Sequence, residues 1–329
     1  MIEWGQHEGG KAYGEKRDIP HGLGWVREGE RIEGFLTHLS AEKGYSPNTL
    51  SAYRIDLDQF RGYLEGVAQG RRWVWEGVEK SDIISYIMHL KGQKEYASAT
   101  VARKVAAIKS FFHYLVREGL IRDDPTATLD SPRVEKRLPR AISFQEVKRL
   151  LAQPAQRSDA RGIRDHGILQ LLYATGMRAS ELVSLTLDDV NLASASVRCF
   201  GKGSKERIIP IHAQAVEALR EYLDKGRTTF LKDPKEGAFF LNQRGRKLTR
   251  QGLWLIVKGY VKEIGLGEAV TPHTLRHTFA THMLEGDADL INVQQLLGHA
   301  NVSTTQVYTQ VTRERLREVY DKAHPRAKE

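Results

Sequence analysis

Residues 271–284 read TPHTLRHTFATHML. A threonine that can cap a helix stands before a proline suited to the first helical position, where its missing N–H is not needed and its φ is already near helical. Leu275, Phe279 and Met283 then recur every four residues, which predicts a helix with one buried apolar stripe. His273 and Arg276 are three apart and lie off that stripe, near a helix N-terminus whose peptide dipoles favour an anion. The expectation is a helix that packs by one face and offers an imidazole and a guanidinium by another. A solitary H-x-x-R is usually just two solvated side chains, so its meaning depends on the rest of the chain. His273 and His277 also have the i, i+4 spacing of zinc ligands, but Thr274 replaces the Glu of the zinc-protease pattern and Arg276 would put a positive charge beside the metal.

Outward from this helix, basic residues continue on both sides. Downstream, 291–310 reads INVQQLLGHANVSTTQVYTQ. Val293, Leu296 and Leu297 predict a helix that Gly298 ends, His299 falls on the turn, and Ser303 can cap a short element leading to Tyr308. Upstream, YATGMRASEL at 173–182 puts Arg178 just past Gly176, the expected stop of a helix carrying Ile168, Leu171 and Leu172. Glu181 follows one turn later and can pair with Arg178. GKGSKE at 201–206 lies between two runs, 197–200 and 207–211, that predict a β-hairpin with Lys202 in its turn and 239–241 as a third strand. Lys205 is a second lysine there, and GKG lacks the GxxxxGK[ST] frame of a nucleotide-phosphate loop. Singly, each residue has an ordinary structural explanation. Together they point to chemistry: a phenol of pKa about 10 is a poor nucleophile at neutral pH, so Tyr308 converging with Arg178, Lys202, His273, Arg276 and His299 suggests attack on an anion, a phosphodiester.

The first third of the chain is helical in pattern. Ile32, Phe35, Leu36 and Leu39 mark a helix from about Glu28, and Ser46-Pro47 opens a second, with Leu50, Tyr53, Leu57, Phe60 and Leu64 in one stripe. Ser81 is expected to cap a third with Ile84, Ile87 and Leu90, and Ser98 to open a fourth with Val101, Val105, Ile108, Phe111, Phe112 and Leu115. Four such helices make a small all-α domain over 28–125. Residues 1–27 read as a polar tail. Residues 126–142, with prolines and basic side chains and no apolar period, read as an interdomain linker able to lie along a phosphate backbone. Ser143 and Glu146 form a capping box where structure resumes, so 143–329 is a mixed α/β domain, closing on a helix with Arg315, Leu316, Val319 and Tyr320.

The 329 residues are enough for two domains, and 50 Lys plus Arg against 41 Asp plus Glu give a formal charge of +9, which favours a polyanionic partner. No apolar run approaches the ~20 residues of a membrane span, and the opening residues lack the apolar core of a secretory signal, so a cytoplasmic protein with no membrane partner is expected. Cys199 is the single cysteine, which excludes an internal disulfide and a thiolate zinc cage; within VRCF it reads as a buried strand residue. No carboxylate cluster suggests magnesium, and no metal or cofactor is expected.

Four boxes in this order and spacing, ATGMRASEL at 174–182, GKGSKERIIPI at 201–211, TPHTLRHTFATHML at 271–284 and LLGHANVSTTQVYT at 296–309, resemble the signatures of the tyrosine recombinases, specifically the bacterial Xer type. The resemblance runs from about Glu28 to the C-terminus and includes the closing VYDKAHPRA. It implies a mainly α fold with a small β-sheet: a four-helix, SAM-like core-binding domain followed by a catalytic domain. Arg178 and Arg276 would be the arginine pair, Lys202 the hairpin lysine, His273 and His299 the two histidine positions, Tyr308 the nucleophile, and Glu181 the buttress of Arg178. The tail is longer than is usual in the family, and Gln310 stands where a His often follows the nucleophile by two.

The implied reaction is metal-independent: DNA cleavage and rejoining through a 3′-phosphotyrosyl link, with double-stranded DNA as substrate and chromosome dimer resolution as the Xer-type role. The implied assembly is a homo- or hetero-tetramer with a related recombinase, the C-terminal helix of each subunit docking on its neighbour; a DNA translocase is a further partner the resemblance allows. The competing readings are an element-encoded integrase of the same chemistry, a non-catalytic DNA-binding protein, and a type IB topoisomerase-like relaxing enzyme.

Overall fold

The computed structural model describes residues 24–130, 141–200, 206–267, 269–298 and 313–329, with the backbone alone for 24–27 and 313. The chain divides into two compact units, Met1–Lys136 and Arg137–Glu329, and each is described by itself.

The first unit consists of α1 Gly24–Ala41, α2 Pro47–Ala68, α3 Lys80–Gly92 and α4 Ser98–Arg117. The α1 helix starts four residues ahead of Glu28, and its stripe of Ile32, Phe35, Leu36 and Leu39 is buried. In α2, Ser46 Oγ accepts the Thr49 N–H at 3.2 Å and Pro47 is the first helical residue, as their chemistry requires. The α3 helix departs from expectation in two ways. Its cap is Glu79, not Ser81, with the Asp82 carboxylate accepting the Glu79 N–H at 2.9 Å. Its buried face is Ile83, Tyr86 and Leu90, with the expected Ile87 partly buried beside them, while Ile84 stays 37% exposed; the Tyr86 ring packs 4.9 Å from Phe60. All six predicted apolar residues of α4 are fully buried. Trp75, from the turn Trp75–Gly77, is inserted among Phe60, Phe111 and Phe112 at 4.8–6.1 Å, and its indole N–H donates to the Glu28 carbonyl at 3.1 Å.

The expected linker is narrower than 126–142. Thr126 and Leu129 are buried in the first unit, where Lys109 Nζ donates to the Leu129 carbonyl at 2.8 Å. At the other end Ile142 is buried in the second unit and donates its N–H to Thr278 Oγ1 at 3.2 Å. Residues 131–140 lie outside the described residues, as do 1–23 of the expected tail.

The second unit opens with α5 Phe144–Ala152, started by the Ser143/Glu146 capping box. At its centre α6 Ala160–Thr175 is buried nearly all round and stops at Gly176, whose φ of +56° only glycine adopts without cost and where a Cβ would stand 2.4 Å from Phe279. The short α7 Ala179–Ser184 leads into an antiparallel sheet in the order β1 Val190–Asn191, β2 Ser196–Phe200, β3 Glu206–Pro210, with Cys199 opposite Arg207 and Phe200 opposite Glu206. Cys199 is buried, which pushes its thiol up to about 12.

The third strand is therefore 190–191 and not 239–241. That segment makes one isolated bridge, Leu241 to Lys247, and the phenol of Tyr222 takes up two of its other backbone groups, accepting the Leu241 N–H at 2.9 Å and donating to the Phe239 carbonyl at 3.2 Å. Helix α8 Ala213–Glu221 runs through a π-helical turn, Tyr222–Arg227, into α9 Thr228–Phe230; then follow α10 Arg250–Glu263, α11 Pro272–Glu285, α12 Leu290–Leu297 and α13 Arg313–Ala323.

The closing helix α13, expected to dock on a neighbouring subunit, covers its own unit in this structure. Its stripe of Leu316, Val319, Tyr320 and Ala323 packs on the core formed with α11, α12 and β3, and Tyr320 is fully buried. Arg317 Nη1 donates to the Ala195 carbonyl at 3.2 Å. Gly286, after α11, approaches so closely that a Cβ there would stand 2.1 Å from the Ala323 carbonyl oxygen. Among the described residues no helix is long and apolar enough to cross a membrane.

Candidate active site

Arg178 is the N-cap residue of α7, placed there by the left-handed turn at Gly176. Its backbone N–H donates to Glu181 Oε2 at 2.8 Å and its Nη1 to Glu181 Oε1 at 3.0 Å. The i, i+3 pairing read from the sequence thus forms, with Glu181 6% exposed and Arg178 41%. A second guanidinium shares the carboxylate. Arg207, on β3 in the core-facing register of Cys199, donates Nη1 to Oε1 at 3.0 Å and Nη2 to Oε2 at 2.7 Å, a bidentate fork, while its Nε reaches the Leu296 carbonyl at 2.9 Å. Burial would raise the Glu181 carboxyl, but the bonds from Arg207 and the Arg178 N–H, with both guanidinium charges, outweigh it and hold the group below the ordinary carboxylate range.

Arg276 departs from the expected exposed face of α11. It is buried, donating Nη1 to the Gly176 carbonyl and Nη2 to the Leu297 carbonyl, each at 2.8 Å. Both carbonyls belong to helix C-termini, of α6 and α12, whose dipoles carry partial negative charge. That is why a guanidinium is tolerated there. Burial lowers Arg276 to about 10, and the Arg178 charge adds to the shift; it remains protonated at neutral pH. His273, one turn earlier, is exposed.

The links close into a ring: Arg276 to Gly176, two residues on to Arg178, across Glu181 to Arg207, to Leu296, and from Leu297 back to Arg276. Of the residues picked out from sequence, the structure joins Arg178, Glu181 and Arg276, and puts His273 on the same helix as Arg276. Lys202, in the connection 201–205, and His299 and Tyr308, after Gly298, lie outside the described residues. Arg207 was missed by reading the sequence. Its signal was strand alternation, since a charged residue in phase with Cys199 and Ile209 requires an anionic partner.

Residues 140–315 match the model of the phage integrase family, and 32–119 that of the phage integrase N-terminal SAM-like domain. The chain is 48% identical over 297 residues to the tyrosine recombinase XerC of Herpetosiphon aurantiacus, covering 90% of this chain and 95% of the relative. The chain belongs to the phage integrase family. Within it the chain is a Xer-type tyrosine recombinase, an enzyme of site-specific DNA cleavage and religation. The tyrosine recombinase XerD of Oceanobacillus iheyensis is 44% identical to this recombinase over 90% of its chain and 98% of the relative. A crystal structure of the XerH site-specific recombinase bound to difH substrate, a pre-cleavage complex, superposes with a TM-score of 0.66 over 92% of this chain and 97% of that one; at 22% identity the likeness bears on the fold alone.

Proposed function

We propose that this recombinase cleaves double-stranded DNA by attack of Tyr308 on a scissile phosphorus, forming a 3′-phosphotyrosyl link and expelling a 5′-hydroxyl, which reverses to rejoin strands. The observation that carries this reading is the ring that joins Arg178 and Arg276 around one buried carboxylate. Among the described residues, Glu181 occupies only Nη1 and the backbone N–H of Arg178, so Nε and Nη2 of a side chain that is 41% exposed are open to an anion. Two guanidiniums fixed before the substrate arrives can meet the charge that grows on the nonbridging oxygens of a pentavalent phosphorus. In this reading Lys202 protonates the leaving 5′-oxygen, His273 exchanges a proton with the Tyr308 phenol, and His299 donates a hydrogen bond to the phosphate.

The helical unit, through Leu129, and the basic stretch 131–140 would hold the duplex for the catalytic unit, from Ile142 onward, in the cytoplasm. Relatives named XerC and XerD match at similar identity, which supports a second copy or a related recombinase as partner; the family resemblance adds a tetramer, α13 docking between subunits and a role in chromosome dimer resolution. A DNA translocase is a partner that such a role would call for. Mapping the bound chromosomal sites tests this: one site near the replication terminus supports it, and scattered element ends overturn it in favour of an integrase.

The chemistry is tested on a nicked suicide duplex carrying the mapped site. Tyr308→Phe should bind it with unchanged affinity and give no protein–DNA adduct, with or without EDTA. An adduct that survives the substitution, or a wild-type adduct that EDTA abolishes, sinks the mechanism.

A further inference from the structure

We propose that Arg207 is a positioning residue of this active site: its fork holds both oxygens of Glu181 and thereby keeps Arg178 free to bind the scissile phosphate. The role rests on the recombinase reading above and adds a residue to it.

The argument is one of competition for a single carboxylate. Glu181 has two oxygens, and Arg178 offers it a guanidinium three residues away on the same short helix. Left to themselves, such a pair favours the two-bond, fork-on-fork geometry, which would take up two of the side-chain nitrogens of Arg178. Arg207 already holds that geometry, Nη1 on Oε1 and Nη2 on Oε2. Among the described residues, the Arg178 side chain is left one bond to that carboxylate, from Nη1.

Arg207 is poorly placed to bind phosphate itself. Its side chain is 12% exposed, and its Nε is bound to the Leu296 carbonyl. Gly298 is also packed against it, so that a Cβ there would stand 2.8 Å from Arg207 Nη1. The same side chain therefore fixes the C-terminal end of α12, whose Leu297 carbonyl receives Arg276. From β3, Arg207 sets the positions of both catalytic arginines without contact to substrate.

The test uses the full chain on the nicked duplex that carries its mapped site, and reads duplex affinity and the single-turnover rate of adduct formation separately. Arg207→Met should bind within about twofold of wild type and cleave about 100-fold more slowly, the scale of a misplaced catalytic group. Adding Glu181→Gln in the same chain, where a neutral amide no longer captures Arg178, should restore cleavage roughly tenfold, a coupling that independent losses would not give. If Arg207→Met does not fold, as judged by its melting curve, Arg207→Lys with and without Glu181→Gln makes the same comparison, since lysine keeps the charge without the fork. Undiminished cleavage by an Arg207 variant that folds overturns the role, and so does a double variant slower than either single one. If the wild-type chain itself forms no adduct, the recombinase mechanism fails, and this role with it.

Discussion

Arg276 is a residue whose identity the sequence displays and whose surroundings it does not. The H-x-x-R spacing marks the side chain, but its partners, the carbonyls of Gly176 and Leu297, are 100 and 21 residues away and are backbone atoms, which no residue type announces. The expectation of an exposed guanidinium failed for that reason. Arg276→Lys keeps the charge but replaces two separated Nη donors on a planar fork with one ammonium on a shorter arm, so one buried acceptor should be left unmet at a cost of about 1–3 kcal/mol. The expected outcome is a lower urea midpoint. Adduct formation on the suicide duplex should fall by roughly 100- to 1,000-fold, the range for losing one oriented donor to a developing oxyanion.

At the level of elements, what repeats locally was legible. The stripes of α1, α2 and α4, the cap at Thr271, the box at Ser143 and the glycine stops at Gly176 and Gly298 follow from periods and caps within a few residues. In α3 the expected Ile87 and Leu90 pack on the core but Ile84 does not, and Ile83 and Tyr86, whose ring meets Phe60 on another helix, complete the face. The segment 239–241 has the composition of a strand, but a distant phenol completes its hydrogen bonds. Tyr222→Phe should therefore cost about 2 kcal/mol, two net hydrogen bonds, while leaving the packing of its ring on Phe240 intact. Chemical denaturation compared with wild type measures it; an unchanged midpoint would mean that water replaces the phenol.

For the molecule as a whole, the second unit carries histidines in its core that the sequence reading did not single out. His212 caps α8 by accepting the Ala215 N–H at 3.2 Å, and its ring lies 5.1 Å from that of the buried His324, which stacks on Tyr320 at 4.8 Å. Burial, then the Arg326 charge, lowers His212 from 6.5 to about 4, and burial with the neighbouring His212 holds His324 well below its ordinary range. Both are neutral when folded, whereas the unfolded chain takes up protons on them below about pH 6.5, so their contribution to stability is full above that pH and falls as pH drops toward 4. The shift at His212 corresponds to about 3 kcal/mol. His212→Asn keeps an acceptor for the cap and removes the titration, so its melting temperature should fall less between pH 7 and pH 4.5 than that of wild type. An identical fall would place the acid sensitivity elsewhere. The packing of α13 on its own unit has a consequence for timing. If that helix docks on a neighbouring copy, it must first withdraw Tyr320 and Ala323 from the core they occupy at home. The exchange trades equivalent contacts and gains little at equilibrium, so its slow step is unimolecular: a rate that protein concentration does not change and that rises steeply with temperature.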